Sequence, residues 1–256
     1  MCLILIAIKK HPFYKLIAAA NRDEFYDRPT APAAFWNEAP HLLGGRDLLA
    51  GGTWLGITRQ GRLAAVTNYR DPASLKKNAP SRGKLVSRFL LGRNSPTGYL
   101  DELNQKAIRY NGFNLIVGER GRHFWYSNRG NGPRELPPGL YGLSNRLLDT
   151  AWPKVSRSKA QLASVLEKEG GPSIDALFHL LGDQTLAEEE SLPDTGVGIE
   201  WERVLSSVFI KSPDYGTRSS TLILVDTKDH VTFIERTFNG SPDDFSEIKY
   251  EFAIKA

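Results

Sequence analysis

The chain has 256 residues, of which 41% are hydrophobic and 24% charged, and its net charge is +4. That balance belongs to a globular protein with a sizeable core and excludes a disordered or low-complexity chain. One cysteine excludes an internal disulfide, and no run of Lys and Arg is dense enough to argue for nucleic acid as partner.

Residues 1–24 read as a hairpin. Leu3-Ile4-Leu5-Ile6-Ala7-Ile8 is apolar without alternation, as in a strand buried on both faces. It is too short for a membrane span and lacks a basic flank, so no transmembrane segment is expected and a cytoplasmic protein is the default. Residues 9–15, with His11-Pro12, supply the turn, and Leu16-Ile17-Ala18-Ala19-Ala20 returns to Asn21-Arg22-Asp23-Glu24. Folded about Pro12, position i meets position 24 − i, which sets Cys2 beside Arg22. If Met1 is removed, Cys2 carries a thiol and an α-amine of reference pKa about 7.7–8.0. Such an amine can take the thiol proton, as in N-terminal nucleophiles. Arg22 would favour the thiolate, and Asp23 would hold the amine or the arginine. A buried structural cysteine beside a charged strand end is the competing reading of these residues.

Further along, the prolines of Asp27-Arg28-Pro29-Thr30-Ala31-Pro32 predict an extended loop. Gly44-Gly45 and Gly51-Gly52 predict turns. Thr53 to Thr58 and Leu63 to Asn68 predict a hairpin, with Asn68 at a strand end. Ser81 is placed to cap a helix bearing Leu85, Val86, Phe89 and Leu90, which Gly92 stops. Ser95-Pro96 opens a second, with Leu100, Leu103, Ala107 and Ile108 on one face. Phe113 to Gly118 and His123 to Ser127 predict another hairpin, and Leu140 to Asn145 a short strand ending in Asn145. Helices follow from Pro153 and from Ser173. Residues 187–201, with Glu188-Glu189-Glu190, read as a long surface loop suited to a lid. Val208 to Lys211 predicts a short strand, residues 219–226 and 231–238 a pair, and the tail an edge strand. Hairpin-linked strands alternating with helix pairs predict an α+β, four-layer αββα sandwich of two antiparallel sheets in one domain, 1–256.

Six stretches together resemble one family. They are Asn21-Arg22-Asp23-Glu24, Gly52-Thr53-Trp54-Leu55-Gly56, Thr67-Asn68-Tyr69-Arg70, Leu143-Ser144-Asn145, Leu192-Pro193-Asp194-Thr195-Gly196 and Tyr215-Gly216-Thr217-Arg218-Ser219. They look like the NRDE family, that of transport and Golgi organisation protein 2, and cover nearly the whole chain. The resemblance implies a link to haem mobilisation and to lipid or acyl-CoA metabolism.

A more distant resemblance is to N-terminal-cysteine Ntn hydrolases of the penicillin V acylase and bile salt hydrolase type. It implies that Cys2 is the nucleophile, that Asp23 contacts its amine, and that Asn68 and Asn145 form an oxyanion hole. Those hydrolases would place an arginine at Ala20. Here it is Arg22, two residues along the same strand face. They also use a later arginine, for which Arg157 and Arg218 are the candidates. Asn21, Glu24, Trp54, Tyr69, Arg70 and Arg218 complete the expected substrate-binding set, which suits an anionic or amphipathic ligand such as an acyl-CoA, a lipid or haem. Together these imply hydrolysis of a small amide or acyl thioester, or else a non-catalytic carrier. No metal site is expected, since the five histidines form no ligand pair. No cofactor is required, and haem enters only as cargo.

Overall fold

The computed structural model describes residues 2–168 and 170–255. In chain order the strands are β1 (Cys2–Ile8), β2 (Tyr14–Phe25), β3 (Thr30–Trp36), β4 (Ala39–Asp47), β5 (Leu55–Thr58), β6 (Leu63–Asn68), β7 (Phe113–Glu119), β8 (Arg122–Ser127), β9 (Arg134–Leu136), β10 (Gly139–Leu143), β11 (Tyr215–Asp226), β12 (His230–Ser241) and β13 (Asp244–Ala253). The helices are α1 (Gly83–Leu91), α2 (Pro96–Asn104), α3 (Pro153–Leu166), α4 (Ile174–Leu181) and α5 (Ile199–Val204). Every strand pair whose register is described is antiparallel, in two sheets, so the α+β class with two antiparallel sheets is as expected.

The chain divides into two compact units. The first comprises residues up to Asp27, then Pro138–Ser144 and Leu148–Glu251. Its sheet runs β10-β1-β2-β11-β12-β13. The β1–β2 register pairs Cys2 with Arg22 and Ile8 with Leu16, as the turn at Pro12 predicts. Leu3, Leu5 and Ala7 of β1, with Ile17 and Ala19 of β2, form one face of this sheet. They pack against Val155 and Leu162 of α3 and Leu177 and Leu181 of α4. Ile4, Ile6 and Ile8, on the other face, are buried too, which is why the run does not alternate. Ser173 caps α4 by accepting from the Ala176 N–H.

The second unit comprises Arg28–Pro137, Asn145–Leu147 and the last residues from Phe252. Its sheet runs β3-β4-β5-β6-β7-β8-β9. One face, with Leu42, Val66, Leu115, Val117 and Tyr126, carries Leu85, Phe89 and Leu90 of α1 and Leu100 of α2. Ser95 caps α2 by accepting from the Gly98 N–H.

Several local expectations are corrected. The proline-rich stretch after Asp27 is strand β3. It is an edge strand, and its register shifts between Ala31 and Ala34, so Pro32 sits where no ladder bond is lost. Gly44 and Gly45 lie within β4 rather than in a turn, because neighbours approach too closely for any side chain. A Cβ at Gly44 would lie 2.7 Å from the Leu55 carbonyl oxygen, and one at Gly45 2.2 Å from the Trp54 ring. Ser81 makes no side-chain cap; α1 starts at Gly83 without one. Ile108 is 73% exposed, because α2 ends at Asn104 and Ala107–Arg109 is a separate 3-10 turn. Residues 208–211 make only an isolated bridge, Lys211 to Gly216. Residues 187–201 contain a 3-10 turn, Glu189–Ser191, and the start of α5. Thr195 donates through its backbone N–H (2.8 Å) and hydroxyl (2.5 Å) to buried Glu202.

Gly44→Ala drives a methyl into the backbone of β5. It is expected to cost about 1–3 kcal/mol, read as a lower urea midpoint at unchanged slope.

Candidate functional site

Cys2, Arg22 and Ser219 lie side by side on three adjacent strands, Cys2 opposite Arg22 and Arg22 opposite Ser219. Successive residues of β2 alternate between faces. Asn21 and Asp23 therefore share the helix-covered face with Ile17 and Ala19, while Arg22 and Glu24 share the other face with Cys2. The helix-side pair is fully buried and Arg22 is 5% exposed. Arg22 Nη2 lies 3.9 Å from Glu24 Oε2.

Cys2 as a whole is only partly covered, but desolvation of its thiol pushes the pKa above that of an ordinary cysteine. The Asp23 carboxylate raises it further. A backbone hydrogen bond from Asp23 and the Arg22 charge act in the opposite direction and are outweighed. Arg22 thus favours the thiolate, as expected from the sequence, but does not prevail.

Burial likewise pushes the Asp23 carboxyl up. The Lys154 ammonium is the strongest influence against that, with the Thr217 hydroxyl and Arg22 behind it. Thr217 Oγ1 donates to Asp23 Oδ1 at 2.7 Å and accepts from the Ile210 N–H at 2.9 Å. Tyr215 Oη donates to the Asp23 carbonyl at 3.0 Å. Lys154 is 1% exposed, in the first turn of α3, which packs on β1 and β10. Ser144 Oγ donates to the Cys2 carbonyl at 3.1 Å, tying the end of β10 to the start of β1. Neither Lys154 nor Thr217 was singled out from the sequence. A lysine at a helix start reads as a surface residue, although Thr217 does lie in a stretch that carries the family resemblance.

The other expected residues of this unit divide by role. Asn21 is committed internally, since Nδ2 donates to the Leu181 and Val208 carbonyls (2.8 and 2.9 Å) and Oδ1 accepts from Ser220 Oγ at 2.6 Å. Glu24 Oε1 accepts from the Phe25 N–H. Arg218 is the extra residue of a β-bulge, between Thr217 opposite Asp23 and Ser219 opposite Arg22, and its Nη1 donates to the Phe25 carbonyl. Arg157 clamps Asp183 at 2.7 Å and the Thr185 carbonyl.

Asn68, Asn145, Tyr69, Arg70 and Trp54 belong to the second unit. Asn145 Nδ2 donates to the Asn68 carbonyl at 2.9 Å, and the Asn145 carbonyl accepts from the Arg70 N–H at 2.7 Å. The two asparagines and Arg70 thus meet at the end of β6. The Arg146 guanidinium lies 5.0 Å over the Tyr69 ring. Asn114, which was not anticipated, holds this loop by donating to Thr67 Oγ1 and the Arg146 carbonyl. Trp54 lies across Gly45 and packs on the core of its unit.

Among the described residues no group of three His, Cys, Asp or Glu side chains is placed to hold a metal ion. No helix there is long and apolar enough to cross a membrane.

Residues 1–240 match the model of the Transport and Golgi organisation 2 family. The chain belongs to that family. It is 41% identical to the Transport and Golgi organization protein 2 homolog of Bos taurus and 39% identical to that of Homo sapiens, each over 100% of both chains. It is 30% identical to the Drosophila melanogaster protein, over 94% of this chain and 93% of that one. The motif resemblance to the NRDE family is therefore borne out. Among solved structures it is similar to the C2A mutant of conjugated bile acid hydrolase from Clostridium perfringens. That match has a TM-score of 0.46 and 13% identity, and covers 100% of this chain and 97% of that one. A Caenorhabditis elegans N-acylethanolamine-hydrolyzing acid amidase ortholog matches with a TM-score of 0.40 and 12% identity, over 87% and 92%.

Lys154→Met withdraws the strongest charge opposing Asp23. The loss is expected at about 3–5 kcal/mol by urea unfolding at pH 7, as for a broken buried pair. Asp23→Asn in the Lys154→Met background should recover part of it. The sign with pH follows from burial. The folded state holds the Asp23 proton more tightly than the unfolded chain does, so this group's contribution is fullest below its ordinary value. It declines as pH rises through its folded value. Lys154→Met lifts that folded value, and the decline should extend to higher pH.

Proposed function

We propose that this family member is an N-terminal-cysteine hydrolase of a small amide or acyl thioester, acting on an anionic or amphipathic substrate of the acyl-CoA type. The observation that supports this most is the meeting of Cys2 with Arg22 across one hydrogen-bonded strand pair, with Asp23 next along the chain. The reading requires a mature chain that begins at Cys2. Its α-amine then takes the thiol proton, and the thiolate attacks the carbonyl carbon. The tetrahedral intermediate collapses with breakage of the C–N or C–S bond, and the ammonium returns a proton to the leaving group. Water then attacks the Cys2 thioester, releasing the acid and restoring the thiol. Asp23 would orient the amine, and Arg22 would face the substrate's negative charge.

One observation favours a second reading, a carrier of acyl-CoA, lipid or haem without turnover. Desolvation moves the Cys2 thiol further from ionisation than an ordinary cysteine, and a thiol is a poor nucleophile.

Intact-mass spectrometry after incubation with acyl amides and acyl-CoA thioesters separates the two. The hydrolase reading expects loss of Met1, an acyl adduct on Cys2, and no adduct or turnover in Cys2→Ala. Retained Met1, or a Cys2→Ala variant with full ligand-transfer activity, decides for the carrier. Alkylation by iodoacetamide gives the pH dependence. With Met1 present the midpoint should lie above that of a free cysteine, and with Cys2 first in the chain it should fall.

A further inference from the structure

The second unit carries a charge concentration that the site does not use. Residues 76–93 hold six basic side chains, Lys76, Lys77, Arg82, Lys84, Arg88 and Arg93, and no acid, a net +6. The whole chain is +4, so the other 238 residues sum to −2. Two large aliphatic side chains stand out from the same surface. Leu75, after the 3-10 turn Pro72–Ser74, is 62% exposed, and Ile108, in the turn Ala107–Arg109, is 73% exposed.

Hydrogen bonds bring these two tips together. Lys76 Nζ donates to the Ile108 carbonyl. The Lys76 N–H donates to Asn111 Oδ1 at 2.7 Å, and Asn111 Nδ2 returns a bond to the Lys76 carbonyl at 3.2 Å. Lys77 flanks Leu75, and Lys106 and Arg109 flank Ile108; all three are exposed. Arg88 reaches the second turn through Tyr110 Oη at 3.4 Å. Glu102 pairs with Lys106 (2.7 Å) and Asp71 with Arg129 (3.1 Å), while Asp101 stands exposed on α2.

We propose that this paired tip, Leu75 and Ile108 within a basic surround, docks the protein on an anionic lipid bilayer surface. Exposed aliphatic side chains on a nucleic-acid site would be unusual, since single strands are bound by aromatic stacking and Tyr110 is buried here. An acidic peptide would use the lysines and leave Leu75 and Ile108 in water. A bilayer uses both, the aliphatic side chains entering the acyl boundary and the basic ones meeting anionic headgroups. Neither contribution holds a protein at a membrane firmly alone, so both are required together.

Sedimentation of the full chain with vesicles tests this. Binding is expected to phosphatidylcholine vesicles containing about 30% phosphatidylserine and not to phosphatidylcholine alone, with strong weakening in high salt. Leu75→Glu with Ile108→Glu should lower the partition coefficient at least tenfold, and so should Lys77→Glu with Arg109→Glu. All four positions are exposed, and an unchanged urea midpoint confirms that the fold is kept. The proposal is overturned if serine-containing vesicles do not bind. It is also overturned if the leucine and isoleucine pair is dispensable, or if polyglutamate binds the parent and the Leu75→Glu/Ile108→Glu protein alike and displaces it from vesicles.

Discussion

The Asp23 carboxylate is cut off from water, and much of the first unit is arranged around that fact. A charge so placed costs several kcal/mol unless partners replace its hydration. Thr217 supplies a hydroxyl proton, and the Ile210 N–H fixes the direction in which Thr217 donates. Thr217 must therefore stand opposite Asp23, while the ladder further along β11 sets Ser219 opposite Arg22. Two residues of β2 are thus matched by three of β11, and the surplus residue is Arg218. The bulge follows from the hydrogen bond to a buried charge. Lys154 fits the same logic. A cation in the first turn of a helix opposes the helix dipole, so its position is unfavourable for α3 alone and is offset by its attraction to the Asp23 carboxyl.

How much of this was legible in the sequence depended on whether the signal was local. The β1–β2 register was readable because a proline-centred turn between two apolar runs leaves one way to fold them, and that placed Cys2 at Arg22. Ser95 was readable as a cap because a cap is a contact within one turn, although the same signal at Ser81 yields none. β3 and β4 were not, since Pro32 and Gly44-Gly45 ordinarily end strands. What overrides them here is an edge position with a bulge and the close approach of Leu55 and Trp54, both of them long-range facts. Lys154 was hidden for the same reason, because its burial follows from α3 lying on β1 as well as on β10, and β1 is far away in the chain. Asn21 misled in the other direction. It stands in a motif with Arg22 and Asp23, yet its amide secures the Leu181 and Val208 backbone.

The thiol poses a chemical tension that geometry alone explains. The same desolvation that buries Asp23 reaches Cys2, and the carboxylate adds to it, so the strand end favours the neutral thiol. Arg22 is close enough to oppose this and too weak to reverse it. A nucleophile in such surroundings needs a base whose protonation costs little there. An α-amine gaining its proton beside the Asp23 carboxyl meets that need where the carboxyl gives up its own, because the new charge is then compensated where it forms. The environment that silences the thiol is thus the one in which a terminal amine would be a competent base.

The four-residue motif Asn21-Arg22-Asp23-Glu24 takes its meaning from strand alternation. With a period of two, Asn21 and Asp23 face the helices, and Arg22 and Glu24 face the opposite side with Cys2. The first pair does internal work, Asn21 tying the α4 terminus and residue 208 to β2 and Asp23 holding Thr217. The second pair lies on the Cys2 side, a guanidinium opposite the thiol and a carboxylate 3.9 Å from that guanidinium. A one-residue slip of β2 would exchange the two pairs, burying Arg22 and Glu24 against α3 and α4 and turning Asn21 and Asp23 outward. The Asn21 bonds to Leu181 and Val208 oppose that slip, because they form only with Asn21 on the helix face. Asn21, whose amide is spent on the backbone of its own unit, is thus the residue that keeps Arg22 opposite Cys2.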